Sequence, residues 1–255
     1  MEERTNTTVQ ASGKEDVRRF YEEYASSWDD RFGDSRSTQH FLRKRLLLLR
    51  RLARFAAGDR VLEVGCGTAM HLIWCAGDFA EGTGMDFSPG MLDVAREKAK
   101  SSGITNLRFV VDDAEQLKTV EDGSIDVIFF VGLLEHLLDP QSFLTSALRV
   151  LKDGGQLVGF TPNAISPWYS SVGKLFRKST RHLSTDALYG AKQLGDMLTA
   201  TGFASVDLVY WGFVPAGIPD LLFYPLFLAE KVLERTWFKR WAGGLAFAAM
   251  RRQAH

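Results

Sequence analysis

The chain has 255 residues, of which 45% are hydrophobic, and it contains 31 basic and 31 acidic residues. This length and apolar content suffice for one domain with a full core, and the balanced charge excludes a whole-molecule field that attracts nucleic acid. The two cysteines, Cys66 and Cys75, exclude a disulfide framework and match no zinc-site spacing, so a reducing, cytoplasmic setting is expected. Residues 1–14 are polar and are expected to form a disordered tail rather than a secretory signal.

Two amphipathic helices are predicted after the tail. Apolar and aromatic residues recur at spacings of three and four over Glu15–Trp28. The same periodicity predicts a second helix over Thr38–Ala56, with Gly58 as a stop signal. We expect residues 15–57 to form a helical cap on a single domain.

From Arg60 onward the chain alternates between short apolar runs and longer helical patterns. The five predicted strands here are Arg60–Val64, Gly82–Asp86, Leu107–Val111, Ile125–Val131 and Gln156–Phe160. Parallel neighbours need crossover connections, so the alternation predicts a doubly wound α/β sheet with helices on both faces. Ligands of such sheets bind beyond the carboxyl ends of the strands.

The last third of the chain predicts one helix and two more strands. These elements are a helix over Ala191–Thr201 and strands over Ala204–Gly212 and Gly244–Met250. We therefore divide the domain into a Rossmann-like core over residues 58–212, an apolar insertion over 213–242, and a last strand with a short tail over 243–255.

The strongest chemical signal is the segment from Val61 to Ala69, an apolar strand followed by a turn of small residues that opens a helix. Gly65 and Gly67 permit a tight turn and let a ligand approach bare backbone. The next strand ends at Asp86, twenty-one residues after Gly65, where a carboxylate can accept hydrogen bonds from both hydroxyls of a ribose.

Two further carboxylates flank this ribose site. Glu63 lies inside the end of the first strand, where a buried carboxylate needs a cationic partner such as the ammonium of a methionine-type ligand. Asp113 follows the third strand and can accept a hydrogen bond from an adenine amine. NAD or NADP binding is the competing interpretation, but a G-x-G-x-x-G register requires a glycine where the chain has Met70.

At these residues the chain resembles the class I S-adenosylmethionine-dependent methyltransferases. Glu63-x-Gly65-x-Gly67 is similar to the family's first motif, with Ala69 in place of its usual third glycine. The segment Met85–Leu92 is similar to the second motif. Segments 125–136 and 151–155 resemble the fourth strand and the turn into the fifth.

The resemblance implies both an architecture and an activity. It implies a seven-stranded, Rossmann-like sheet in which the last strand, Gly244–Met250, runs antiparallel to the others. It also implies an enzyme that uses S-adenosyl-L-methionine as its cofactor and releases S-adenosyl-L-homocysteine.

The same resemblance assigns the cofactor contacts. Asp86 is expected to hold the ribose, Phe87 or Met91 to pack on the adenine, and Tyr21 or Trp28 to close over the methionine end. The predicted cofactor-binding residues are Tyr21, Trp28, Glu63, Gly65, Cys66, Gly67, Asp86, Phe87, Met91, Asp113, Ala114 and Val131.

Two histidines near strand ends are candidate general bases. His136 follows the fourth strand and His182 lies in the loop after the fifth. The alternatives are that His136 hydrogen-bonds the start of a helix and that His182 is solvated or contacts an anion. Glu135-His136 also resembles the metal-binding step of certain quinone O-methyltransferases. There another carboxylate precedes this step, but the matching position here is Gly132, so no metal is predicted.

The insertion over Val214–Trp241 is rich in aromatic and aliphatic residues, with Lys231, Arg235, Lys239 and Arg240 interleaved. One interpretation is a pair of lid helices packed on the sheet. The other is a surface that lines a pocket for a hydrophobic substrate or makes peripheral contact with a membrane. Its longest apolar run contains an aspartate and three prolines, which excludes a membrane span.

Together these patterns predict methyl transfer to a small, partly hydrophobic or lipid-like acceptor through oxygen, nitrogen or carbon, by in-line attack on the sulfonium methyl. A methyltransferase fold that binds without turnover is one alternative. Methylation of a nucleic acid or protein is the other, although the neutral charge and the absence of a recognisable module give no expectation of a nucleic-acid partner. No pattern in the sequence specifies an oligomeric state.

Overall fold

A computed structural model describes residues 11, 13–169 and 186–253 of the chain. Its α-helices are α1 Lys14–Tyr24, α2 Arg36–Ala53, α3 Met70–Cys75, α4 Pro89–Ser101, α5 Pro140–Val150, α6 Ala191–Thr201 and α7 Asp220–Leu233. Its strands are β1 Arg60–Val64, β2 Glu81–Asp86, β3 Leu107–Val111, β4 Ile125–Val131, β5 Leu151–Pro162, β6 Ala204–Trp211 and β7 Gly244–Met250. The candidate base His182 and most of the predicted tail lie outside the described residues, and Lys14 begins α1.

The described strands form a seven-stranded sheet in the order β3-β2-β1-β4-β5-β7-β6. Neighbours are parallel except for β7, which runs antiparallel to β5 and to β6. The strand order reverses between β1 and β4, so a ligand crevice opens at the carboxyl ends of these two strands. The predicted doubly wound sheet and its antiparallel last strand are confirmed.

The sheet is buried on both faces because its central strands are apolar at successive positions. Leu62 of β1 and Ile128 of β4 belong to the core beneath α5 and α6. Successive side chains of a strand point to opposite faces of the sheet. The neighbouring residues Val61 and Phe129 therefore belong to the other core, beneath α2, α3 and α4. Helices on both faces are the arrangement that near-continuous apolar strands require.

The amino-terminal helices differ in their limits from the prediction. α1 ends at Tyr24, and the chain continues through two short 3-10 turns, Ala25–Ser27 and Asp29–Arg31, so the predicted helix to Trp28 is only partly α-helical. α2 begins two residues earlier than predicted because the Ser35 hydroxyl caps it. Much of α2 packs directly on the sheet and contributes to its core.

The insertion between β6 and β7 contains one α-helix, α7, and a 3-10 turn over Trp237–Trp241, where the sequence predicts a pair of helices. Pro225 lies within α7. Val214, Ile218 and Phe223 form a small buried cluster, whereas eight large apolar side chains between Leu221 and Trp241 are exposed. Within the described residues, no helix is long and apolar enough to cross a membrane.

Glu230 attaches α7 to the rest of the domain. Its carboxylate lies 2.7 Å from His40 Nε2 and 2.9 Å from Lys44 Nζ, both on α2, and it accepts the backbone N–H of Phe213 (2.7 Å) and of Val214 (3.2 Å). Burial alone would raise the pKa of this carboxyl, but the hydrogen bonds and the charge of Lys44 lower it below its ordinary value.

Replacing Glu230 by Gln removes one of the two carboxylate charges that pair with Lys44 while keeping the shape of the side chain. We expect the free energy of unfolding at neutral pH to fall by about 2 kcal/mol, since a buried charged acceptor of hydrogen bonds is lost and Lys44 keeps only its second partner, Glu234. The measurement is chemical denaturation followed by circular dichroism. Glu234→Gln, one residue beyond the end of α7, is the control, because Glu234 pairs with the same lysine but its side chain is 31% exposed.

The same variant has a defined pH dependence. Because the folded-state pKa of Glu230 is lowered, its contribution is present at neutral pH and is lost as the pH falls through that folded-state value. The difference in the free energy of unfolding between wild type and Glu230→Gln therefore becomes smaller at acidic pH. Two results contradict the role of Glu230 in attaching α7. One is a difference in the free energy of unfolding that does not change with pH, and the other is a loss of stability no larger than that of Glu234→Gln.

Candidate functional site

The turn after β1 is built from backbone in the left-handed region. The φ angles are 66° at Gly65, 52° at Gly67 and 57° at Ala69. A Cβ atom on Gly65 would lie 2.8 Å from a methyl carbon at the end of the Leu133 side chain, which can shift, so the positive φ is the main reason that this position favours glycine. Ala69, the N-cap of α3, adopts the left-handed conformation at a cost of about 1 kcal/mol, which allows it to occupy the usual third-glycine position.

The Asp86 carboxylate, at the end of β2, holds this turn in place. Its Oδ2 accepts the N–H of Gly67 at 2.8 Å, and its Oδ1 accepts the N–H of Ser88 at 3.0 Å. Burial raises the pKa of the carboxyl, and the two backbone donors oppose that shift by favouring the charged form. Asp86 thus fixes the glycine turn relative to β2 independently of any ligand.

Aromatic side chains from the amino-terminal segment lie over the glycine turn. The ring centroid of Tyr21 is 5.3 Å from Trp28, 6.2 Å from Phe87 and 5.9 Å from His136. Trp28 Nε1 is 3.8 Å from the position that a Cβ atom on Gly67 would take. The structure therefore brings four predicted cofactor residues together, with the candidate base His136 at their edge.

Two carboxylates that the sequence analysis did not single out attach this aromatic cap. Glu22 of α1 accepts hydrogen bonds from the Gly90 N–H (3.1 Å) and from the Ser88 hydroxyl, both at the start of α4. Asp29 accepts a hydrogen bond from Lys98 Nζ at 2.7 Å. Because α4 begins just after Asp86, the aromatic cap and the glycine turn are both held by the segment that joins β2 to α4.

The predicted adenine residues occupy the neighbouring part of the crevice. Met91 is buried, and its sulfur lies 4.0 Å from the position that a Cβ atom on Gly67 would take. Asp113 Oδ1 accepts the Glu115 N–H at 2.9 Å, and Asp113 Oδ2 lies 2.6 Å from Lys14 Nζ. The Asp113 carboxylate is thus already engaged with α1 in this conformation.

The remaining predicted contacts are backbone or half-buried positions. The Cys66 N–H donates to the Met85 carbonyl at 2.9 Å, which closes the turn against β2. Ala114 packs against the core beneath α5. Val131 is the last residue of β4 and pairs with Phe160 of β5. All three therefore lie at the carboxyl edge of the sheet.

A buried polar cluster lies beneath α2 and next to the glycine turn. Glu63 is 1% exposed; its Oε2 accepts the Leu72 N–H at 3.1 Å, and its Oε1 lies 3.4 Å from His71 Nδ1. Burial raises the pKa of Glu63 well above its ordinary value and lowers the pKa of His71 well below it. Burial also lowers the pKa of Arg45 to about 10, an effect that the charge of Glu63 partly offsets.

This cluster contains donors without a partner among the described residues. Arg45 Nε and Nη2 and His71 Nε2 are buried and make no hydrogen bond there. Such groups are costly to bury and are expected to meet a ligand or water. The sequence analysis missed both residues, although Arg45 stands four residues from both Phe41 and Leu49, in the stripe of α2 that faces the core.

His136 belongs to a second buried polar group on the other side of the crevice. Its Nδ1 lies 2.7 Å from the carboxylate of Asp186, which is 5% exposed. The adjacent Glu135 accepts the Thr161 hydroxyl at 3.1 Å, and burial raises the pKa of its carboxyl. The sequence analysis did not single out Asp186. In the described part of the chain, no three His, Cys, Asp or Glu side chains are grouped to hold a metal ion.

The comparisons with known proteins agree with this geometry. Residues 62–159 match the family described as "Methyltransferase domain". The chain is 33% identical over 180 residues to a demethylmenaquinone methyltransferase of Listeria welshimeri, covering 62% of this chain and 76% of that protein. It is 32% identical over 143 residues to a ubiquinone biosynthesis O-methyltransferase of Pectobacterium atrosepticum, where the match spans 56% of this chain and only 59% of the relative.

A solved structure shows the same fold. The phosphoethanolamine N-methyltransferase 2 of Haemonchus contortus in complex with S-adenosyl-L-methionine superposes with a TM-score of 0.62 at 18% identity, covering 91% of this chain and 60% of that one. The chain belongs to the class I S-adenosylmethionine-dependent methyltransferases. The family, the enzyme class and the cofactor of that class, S-adenosyl-L-methionine, are confirmed as predicted.

The raised pKa of Glu63 makes the stability of the free protein depend on pH. A carboxyl with a raised folded-state pKa stabilises the fold below its unfolded value of about 4.3, and that contribution is lost as the pH rises through the folded-state value. We therefore expect Glu63→Gln to have a higher melting temperature than wild type at about pH 8, and the advantage to shrink towards about pH 5.

Thermal unfolding of the ligand-free protein at several pH values measures this difference. Asp93→Asn is the matched control, because the Asp93 side chain is 74% exposed on α4. A Glu63→Gln advantage that is independent of pH, or that grows in acid, contradicts a raised pKa of the buried Glu63 carboxyl.

Proposed function

We propose that this protein transfers the methyl group of S-adenosyl-L-methionine to a small, partly hydrophobic acceptor that carries a hydroxyl. The observation that supports this most directly is a buried carboxyl, Glu63, near the buried guanidinium of Arg45 beside the glycine turn. An amino-acid zwitterion carries both charges: its carboxylate can meet the unpartnered Arg45 nitrogens, and its ammonium would favour the ionised form of Glu63. A dinucleotide has no amino-acid end that carries an ammonium and a carboxylate.

The residues at the crevice fit the other parts of the cofactor. Asp86 would accept the ribose hydroxyls while it continues to hold the Gly67 N–H. Phe87 and Met91 would pack on the adenine, and the Asp113-Ala114 step would meet its amine. The cofactor backbone would pass over Gly65, Cys66 and Gly67, with Val131 at the opposite strand end and with Tyr21 and Trp28 as the cover.

When bound, S-adenosyl-L-methionine supplies a methyl group on a positively charged sulfur. The chain itself positions the cofactor and the acceptor and excludes water from them. Glu22 and Asp29 fasten the aromatic cap over the turn, so the cap keeps water from the methionine end. The rigid turn holds the reacting groups in line, which is a major source of rate in bimolecular transfers.

The pair of His136 and Asp186 supports a hydroxyl as the nucleophile. Asp186 holds the imidazole through Nδ1 at 2.7 Å, which fixes the ring and stabilises the imidazolium that forms when Nε2 takes a proton. The relatives named for ubiquinone biosynthesis and demethylmenaquinone support a partly apolar ring as the acceptor. Methylation of a nitrogen or carbon atom, or of a macromolecule, is the alternative result that the assay can detect.

The test is transfer of a labelled methyl group from S-adenosyl-L-methionine to a panel of hydroxylated aromatic and isoprenoid compounds. We expect turnover of partly apolar hydroxylated acceptors and none of nucleic acid or protein. Asp86→Ala should weaken cofactor binding by about 2 kcal/mol, roughly thirtyfold in the dissociation constant, because a charged acceptor of hydrogen bonds is lost.

Asp93→Ala, an exposed aspartate on α4, serves as the control and should bind as wild type does. Cofactor binding without turnover of any acceptor supports a binding module instead. Unchanged affinity in Asp86→Ala rules out its assignment to the ribose.

His136→Ala tests the proposed base. We expect the rate constant for a hydroxyl acceptor to fall by on the order of 10²-fold at neutral pH while the affinity for the cofactor is unchanged. The residual rate should rise with pH as the acceptor ionises by itself. Steady-state kinetics over a range of pH measure both effects.

Asp186→Asn separates positioning from catalysis. As a positioning residue, Asp186 acts on the reaction through His136, so its loss should lower the rate in wild type and add little in the His136→Ala background. Additive losses in the double variant, or a His136→Ala rate within twofold of wild type, contradict the assignment.

A further inference from the structure

The surface of the insertion is unusually apolar. Eight of the fifteen exposed large hydrophobic side chains of the described residues lie between Leu221 and Trp241. Leu221 is 86% exposed, Val232 63%, Leu228 62% and Trp237 56%. Scattered apolar side chains are normal on a protein surface, but a concentration of this kind marks an interaction surface.

The exposed side chains of α7 follow a helical stripe. Leu221, Tyr224, Leu228 and Val232 recur at spacings of three and four, so they share one face of the helix. Phe223 and Glu230, which are buried, mark the face that packs on the domain. A helix on a domain surface normally exposes polar residues on its outer face, whereas α7 exposes an apolar stripe there.

Cations surround this stripe. Lys231, Arg235, Lys239 and Arg240 are exposed, and none of them forms an ion pair within the described part of the chain. Lys231 Nζ lies 4.4 Å from the ring centroid of Phe227, and the Arg240 guanidinium lies 5.3 Å from that of Trp237. Tryptophan beside basic residues is the composition favoured at the interface of a membrane.

The acidic residues of the same segment do not cancel these charges. Glu230 is buried against His40 and Lys44, and Glu234 pairs with Lys44. Asp220 lies 3.8 Å from Arg36, a further basic residue next to Tyr224. The outward charge of the segment is therefore positive, which is complementary to an anionic surface.

We propose that this docking face, formed by the outer stripe of α7 and the Trp237–Trp241 turn, binds the surface of an anionic lipid bilayer. α7 has 14 residues, about 21 Å of helix, which is too short to span a bilayer but suits a helix lying in its interface. The apolar stripe enters the boundary between headgroups and acyl chains, and the four cations meet the headgroups.

Docking by this face places the catalytic domain at a source of lipophilic acceptors. Through Glu230, α7 is fastened to Lys44, which is adjacent in sequence to Arg45 of the buried cluster. The inference itself rests on the exposed face and not on the proposed methyl transfer, since binding to vesicles requires neither cofactor nor acceptor.

The test is flotation of the full chain with phosphatidylcholine vesicles and with vesicles of equal parts phosphatidylcholine and phosphatidylglycerol. We expect binding to the anionic vesicles only, weakened by salt because exposed charges are screened. Lys239→Gln/Arg240→Gln should lower the partition coefficient by on the order of tenfold or more. Lys100→Gln/Lys118→Gln, which removes the same charge from exposed positions elsewhere, should bind as wild type does.

Leu221→Ser/Leu228→Ser tests the apolar stripe and should also lower partition by roughly tenfold, whereas Met250→Ser, at an exposed position on β7, should not. Melting temperatures near that of wild type show that these variants fold. The proposal is overturned if wild type binds neither vesicle, or if the docking-face variants bind as tightly as wild type. A dimer in light scattering that Leu228→Ser dissolves, without vesicle binding, assigns the face to a second copy of the chain instead.

Discussion

The hydrogen bond from the Gly67 N–H to the buried carboxylate of Asp86 connects the two segments on which the crevice depends. Three residues of the glycine turn have positive φ, and a turn of this kind holds one shape only if its surroundings determine it. A charged acceptor at the end of the neighbouring strand provides that constraint without closing the backbone to a ligand. The same carboxylate accepts the Ser88 N–H and so also sets the start of α4.

The contacts of Asp86 also determine where the aromatic cap lies, because the cap is bound to the start of α4. Glu22 of α1 binds the first turn of α4, two residues beyond the Asp86 contact, and Tyr21 consequently lies among Trp28, Phe87 and His136. Two buried polar groups then flank the crevice. The one around Arg45 and Glu63 fits a zwitterion, and the one around His136 and Asp186 fits proton removal, so the sides of the crevice are chemically different.

The sequence predicted strands such as β1 and β4 well because they are short apolar runs bounded by turn residues. β5 begins at Leu151, five residues before its predicted start, because the residues that follow Leu151 are polar or glycine and resemble a turn. The antiparallel direction of the last strand came only through the family resemblance, and the order of the sheet was not predicted, since pairing between distant strands is not a local property. Arg45 and Asp186 were missed for the same reason. The partner of Asp186 is fifty residues away, and the position of Arg45 beside Glu63 depends on how α2 packs over β1. In one interpretation of the insertion it forms a pair of helices, and the structure has a short 3-10 helix, Trp237–Trp241, as the second of them.

Calorimetric titration of the purified chain with S-adenosyl-L-methionine and S-adenosyl-L-homocysteine, with NAD and NADP as controls, tests the central claim most directly. A glycine turn fixed by Asp86 beside a zwitterion site should bind the first pair in the micromolar range, on the order of −8 kcal/mol, and neither dinucleotide. Binding of NAD or NADP, or heat from none of the four ligands, would contradict the assignment of this crevice to S-adenosyl-L-methionine.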